Sequence, residues 1–211
     1  MASTTPTPPC LKKGAARGPC ASRALPLSAE DKHAGAEKRR HRHMIVLSID
    51  PAIRNTGYAV IEGNHIDARA LEYGTLSLKK TLSQSACLLE IHNHVAALIE
   101  KWHPDELAIE AIIYVQSHRT AISMGSARAA TVLAAAKMGL PIMEYPPSCV
   151  KLAAVGKGSA DKSQVAFMMR ALLGLSETPA PDAADALAIG YAHLAAADPL
   201  RSHLFSKRQY I

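Results

Sequence analysis

Aromatic side chains are scarce: two Phe, one Trp and six Tyr make up 4% of 211 residues. A core built from this chain must be filled by aliphatics and alanine, and the hydrophobic content of 48% is enough for that. No apolar run approaches the ~20 residues that a membrane-spanning helix needs, so no membrane partner is expected. Cysteine is limited to Cys10, Cys20, Cys87 and Cys149, with no CxxC pair or other ligand spacing. That argues against a thiolate metal site and for a reducing, cytoplasmic setting. Acids are missing from the first 29 residues, and no apolar segment there resembles the core of a secretory signal. Val155 to Val165, VGKGSADKSQV, lacks the Walker spacing of a phosphate loop despite its glycines.

What charge there is lies unevenly. Residues 1–43 hold nine Lys/Arg and three Asp/Glu, a net of +6. The totals of 24 and 18 then leave fifteen of each in residues 44–211, a net of zero. The basic balance is a property of the first 43 residues and says nothing about a nucleic-acid surface on the rest. Their Pro, Ala, Ser and Thr content and lack of apolar periodicity predict a disordered tail. Three readings follow, in order of preference: an upstream extension with Met44 as the natural start, a basic arm (KRRHRH) that holds DNA, or an organelle transit peptide. A single domain is expected over 44–197, with 198–211 as a C-terminal tail.

From Met44 the pattern is α/β. Ile45 to Ile49 is a β-branched run that reads as a buried strand, and it stops on Asp50 because Pro51 cannot extend a ladder. Tyr58 to Ile61 and Ile66 to Leu78 follow as strands of an antiparallel meander, with Gly74 a candidate bulge. Ser83 to Trp102 is an amphipathic helix, and Glu106 to Ile113 is a strand apolar on both faces that holds Glu110. Ser117 to Gly139 is a helix rich in small residues, suited to close approach by its own sheet or by a second copy. Pro141 to Tyr145 is the fifth strand. Lys157 lies on a loop leading to a helix capped near Ser159, with Lys162 early in it. Pro181 opens the last helix. Asp182 and Asp185, three residues apart, share a face of its first turn. His193, roughly 12 Å further along the axis, reads as a surface or structural residue.

Each acid has a plain alternative: a turn Asp before Pro, a paired strand Glu, helix-dipole acids. Taken together, Asp50, Glu110, Asp182 and Asp185 form a set of hard oxygen donors without His or Cys, which suits Mg²⁺ or Mn²⁺. Two such ions can serve phosphodiester hydrolysis.

The stretches IDPAIRNTGYAVI, IEAIIY, SMGSARAA, VKLAAVGKGSADKSQV and DAADALAIG, in that order, resemble the RuvC family of Holliday-junction resolvases over residues 44 to about 195. The resemblance implies an RNase H-like fold, with a mixed five-stranded sheet flanked by helices, and a homodimer. It implies a metal-dependent endonuclease acting on four-way DNA junctions in recombination and repair, with Asp50, Glu110, Asp182 and Asp185 as catalytic metal ligands. Lys151 and Lys162 are expected to contact DNA, joined by Arg128, Lys157 and Tyr114, and a branch-migration motor is a possible further partner. Three positions depart from the family pattern: Ala52 and Ala129 stand for glycines, and Ile113 for a Phe that packs against an unstacked base. Tyr114 is the nearest ring to replace it. Two other classes compete: an actin-like sugar kinase or ATPase, which needs a second glycine-rich phosphate motif not found here, and a noncatalytic DNA-binding module, which would lose the acids.

Overall fold

A computed structural model describes residues 43–64, 66–112, 117–198 and 200–211. The tail up to residue 42 and the residues Ile113 and Tyr114 therefore lie outside the described residues. Six strands form one sheet in the order β3-β2-β1-β4-β5-β6. β1 (Met44–Asp50) pairs antiparallel with β2 (Asn55–Gly63), which pairs antiparallel with β3 (Ala68–Ser77). On its other side β1 runs parallel to β4 (Glu106–Glu110), and β4 parallel to β5 (Ile142–Tyr145). The two-residue β6 (Gln209–Tyr210) closes the β5 edge antiparallel.

The strands alternate between two cores. Leu47, Ile49, Val60, Leu107 and Ile109 face one layer, with α1 (Gln84–Trp102) and α2 (His118–Lys137) over it. Val46, Ala59, Ile61, Ala108 and Met143 face the other, under α3 (Pro147–Val155), α4 (Lys162–Leu172) and α5 (Pro181–Ala195). A period of two thus puts Asp50 on the Val46 side of β1 and Glu110 on the Ala108 side of β4, both toward α5. Three of the helices start where side chains cap them. Ser83 accepts from Ala86 N at α1, Ser117 from Thr120 N at α2, and Asp161 forms a reciprocal capping box with Gln164 at α4. His103, in the left-handed region at φ 46°, ends α1 before Pro104.

Several expectations are corrected. The sheet has six strands, because residues 198–211 are not a loose tail. A 3-10 turn (Ser202–Phe205) buries Phe205 at 1% exposure, and β6 follows it. Such a two-residue edge strand leaves no periodicity to read. β4 ends at Glu110 rather than Ile113, and Ile112 is already exposed. The register shift between β2 and β3 falls opposite Val60 and Ile61, at Leu71 on β3, not at Gly74. A Cβ on Gly74 would instead strike the Tyr58 ring. The cap of α4 is Asp161 rather than Ser159, since Asp161 has Gln164 three residues ahead to complete the box.

Candidate active site

Asp50 is the last residue of β1 and Glu110 the last of β4, so two neighbouring parallel strands end in carboxylates at the same sheet edge. The loop after Asp50 is tied down. Arg54 donates from Nη1 to Lys79 O (2.6 Å) and Cys87 Sγ (3.2 Å), and from Nη2 to Leu82 O (3.0 Å). Thr56 Oγ1 donates to Ala52 O at 2.6 Å.

The other two acids arrive on α5, and small residues decide how close it comes. A Cβ on Gly57, the partner of Asp50 in the β1–β2 ladder, would lie 2.0 Å from Asp182 O. One on Gly190 would lie 2.7 Å from Ser48 Oγ. Ser48 Oγ, fully buried, donates to Ala186 O at 2.8 Å and so fastens α5 to β1 two residues before Asp50. Pro181 opens the helix without needing an N–H partner. The first turn of α5, with Asp182 and Asp185, is thereby held over the ends of the two strands.

Electrostatics show the convergence. Burial pushes Asp50 up to about 6; the charges of Asp185 and, less, Asp182 add to the rise, and Lys162 opposes it. Burial likewise pushes Glu110 up to about 7, reinforced by Asp50 and then Asp185, and opposed by Lys162 and Lys151. Burial and neighbouring acids oppose the charging of Asp50 and Glu110, so the site favours a cation. Lys162 supplies one now: its Nζ donates to Asp185 Oδ2 at 2.7 Å, and that bond raises the Lys162 pKa. Among the described residues no three acid, His or Cys side chains are already set to hold one ion. The donor chemistry fits a hard divalent cation, and Lys162 on Asp185 stands in for part of its charge.

The remaining expected residues divide. Lys151, on α3, is near enough to lower Glu110. Lys157 sits exposed in the α3–α4 loop. Arg128 is instead committed to Glu144: Nη2 donates to Oε1 at 2.8 Å in a mostly buried pair, with Gln209 Nε2 on the other oxygen. His193 is not on the surface; it is 7% exposed, bonded to Tyr145 OH at 3.1 Å and beside Glu106. Ser48, Gly57 and Gly190 were not singled out by sequence reasoning. Only Gly57, at the start of the strand that follows the Asp50 turn, carried a local hint.

The family described as "Crossover junction endodeoxyribonuclease RuvC" matches residues 46–193. A protein of that description from Akkermansia muciniphila is 64% identical over 168 residues, 80% of this chain and 100% of the relative. One from Magnetococcus marinus is 43% identical over 149 residues, covering 71% and 83%. Among solved structures, T. thermophilus RuvC in complex with a Holliday junction substrate superposes with a TM-score of 0.68 at 34% identity, over 72% of this chain and 93% of that one.

Proposed function

The chain belongs to the RuvC family of crossover junction endodeoxyribonucleases, and from that premise we propose that it resolves four-way DNA junctions by paired phosphodiester hydrolysis at the four-acid site. The observation that carries this reading is the placement of Asp50 and Glu110 at the ends of adjacent strands, with the first turn of α5 packed over them. Divalent metal, as RuvC-family nucleases require, would be held by Asp50, Glu110, Asp182 and Asp185; we assign Mg²⁺, with Mn²⁺ as a substitute and two ions per site. When bound, the metal supplies an activated water and stabilises the leaving oxygen.

The chain's own residues do the rest. Asp50 and Glu110 are presented by rigid strand ends, so their oxygens need little reordering. Asp185 would be one of the residues to hold the metal, and the Lys162 ammonium now bonded to it would then be free to meet the scissile phosphate. Lys151 and Lys157 add charge on the same side. Tyr114 stays an expected DNA contact beside Ile113, while Arg128 leaves the set because Glu144 already holds it.

The active species in this reading is a homodimer. α2 exposes Ala129 and Leu133, and α1 exposes Leu89. These are apolar positions that a soluble monomer gains nothing by presenting. A two-fold dimer matches the symmetry of a junction cut at two equivalent strands. A branch-migration motor on the same junction and a cytoplasmic location complete the proposal; no helix among the described residues is long and apolar enough to cross a membrane.

The test is cutting of a synthetic four-way junction against linear duplex, with and without Mg²⁺, together with ATP turnover. Paired, metal-dependent nicks in the junction alone support the assignment. ATP hydrolysis without nicking would restore the kinase reading. Junction binding without cleavage in any metal would leave a noncatalytic module.

A further inference from the structure

On the opposite face of the sheet from the four acids, but at the same end, lies a cleft of about 390 Å³. It is lined by Ile53 and Arg54 of the β1–β2 loop, Gln84 of α1, and Arg119, Ile122 and Ser123 of α2. No acid lines it. The stretches of sequence that supply the lining are free of acids as well. The three segments that build this corner, 51–61, 73–89 and 117–123, contain no Asp or Glu, yet carry Arg54, Lys79, Lys80 and Arg119. The acids that bring residues 44–211 to a net of zero lie outside these segments. Folding separates the signs, and this corner takes the positive one.

The two arginines of the cleft differ in kind. Arg54 is fixed by two carbonyls and a sulfur, so its charge is a permanent part of the wall. Arg119 is exposed, and among the described residues it makes no hydrogen bond or ion pair. Lys79 and Lys80 stand exposed on the loop whose carbonyls hold Arg54. A fixed guanidinium, a free one, an amide and a hydroxyl around an open hollow suit a phosphodiester: charge on two sides and neutral donors for the remaining oxygens.

We propose that this cleft is a second phosphate-binding site, which takes the backbone of a junction strand where it passes around the sheet end, away from the scissile bond. Arg119 closes on the phosphate and Arg54 holds the wall against which it sits. The inference rests on the junction-nuclease reading above.

Binding to a four-way junction is measured in a chelator, so that nothing is cut, as log K against log salt. Each phosphate contact on duplex DNA contributes ~0.9 to that slope. Arg119→Ala is expected to weaken binding several-fold and to reduce the slope by about one. Gln84→Glu, which puts an acid in the cleft at the first residue of α1, should also weaken binding. Its melting temperature should hold or rise, since an acid there favours the helix dipole. Lys137→Ala, at the far end of α2, should leave the slope unchanged. Equal losses for Lys137→Ala and Arg119→Ala would reduce the effect to net charge and overturn the site. So would wild-type affinity and slope in Arg119→Ala. Competition by millimolar inorganic phosphate for Arg119, with no change in the DNA slope on mutation, would assign the cleft to a small anion and overturn it as well. If the wild-type chain neither binds nor cuts junctions, the nuclease reading itself fails. If it does both while Arg119→Ala behaves as wild type, the cleft proposal alone fails.

Discussion

In the proposed mechanism the two strand-end carboxylates hold the metal, and their environment makes a signed prediction. Asp50 moves from 3.8 to about 6 and Glu110 from 4.5 to about 7, each raised first by burial. Between the unfolded and folded values the folded chain keeps protons that the unfolded chain releases. Metal-free stability therefore falls as pH rises from about 4 through about 7 and stays low above that. Shifts of this size correspond to about 3 kcal/mol per group, an upper bound for side chains that keep some contact with water. Metal-free Glu110→Gln should melt above wild type at pH 8, with the gain shrinking toward pH 4; no gain at pH 8 would place Glu110 away from the other acids. Cleavage by Glu110→Gln and by Asp50→Asn should fall by at least about a thousandfold, the scale of losing a group that acts on the transition state. Junction binding should survive, because affinity comes from phosphate contacts. The same protonation predicts that Mg²⁺ raises the wild-type melting temperature more at pH 8 than at pH 5.5, where protons compete for both carboxylates. A thermal-shift titration at the two pH values checks this, and an equal rise at both would count against these acids as ligands.

At the scale of elements, the site depends on how closely α5 approaches β2. A methyl group at Gly57 has nowhere to go, because what it meets is the Asp182 carbonyl rather than a flexible side chain. Gly57→Ala should cost about 1–3 kcal/mol, as overpacking does, and should lower cleavage beyond what the lost stability explains by lifting Asp182 and Asp185 off the strand ends. Near-normal turnover in a variant with a lowered melting point would show that α5 tolerates the shift. The α2 stripe allows a contrasting test. Ala129 is exposed, so Ala129→Trp should leave the monomer folded while weakening self-association and paired nicking. Sedimentation at micromolar concentration reads the first effect and junction cutting the second. A wild-type chain that sediments as a monomer with DNA present, yet still nicks symmetrically, would remove the dimer from the mechanism.

The whole molecule closes through its last fourteen residues. Phe205 packs edge-on against Tyr145, which bonds His193. Arg208 donates to Ala196 O at 2.9 Å, and Ile211 N donates to Ile142 O. A chain ending at Ala197 should expose that core and the β5 edge together. The lost Phe packing alone is worth about 3–5 kcal/mol, and an unpaired edge invites association. A marked drop in melting temperature with aggregation is the expected result, and an unchanged melt would return the segment to the status of a tail. At the other end, every described strand and helix begins at or after Met44. A chain starting at Met44 should fold and cut junctions as the longer one does, with weaker salt-sensitive binding to nonspecific DNA.

Local chemistry determined a good deal from sequence alone. Pro51 stops β1 on Asp50, Ser83 and Ser117 cap their helices, and Pro181 opens α5 with Asp182 and Asp185 on one face, all through forces that act within a few residues. Strand alternation was enough to make Asp50 and Glu110 unusual. What neighbours cannot encode was left to the tertiary structure. It decided that Glu110 ends its strand, that Arg128 belongs to Glu144 sixteen residues away, and that Lys162 reaches Asp185 across twenty-three. It turned His193 inward because Tyr145 and Glu106 offer partners there, and it recruited Gln209 and Tyr210 as a sixth strand because β5 had an open edge. The net charge of zero over residues 44–211 is the plainest case. Composition adds charges without position, whereas folding set the acids of the four-carboxylate site at one face and left an acid-free corner around Arg54 and Arg119 on the other.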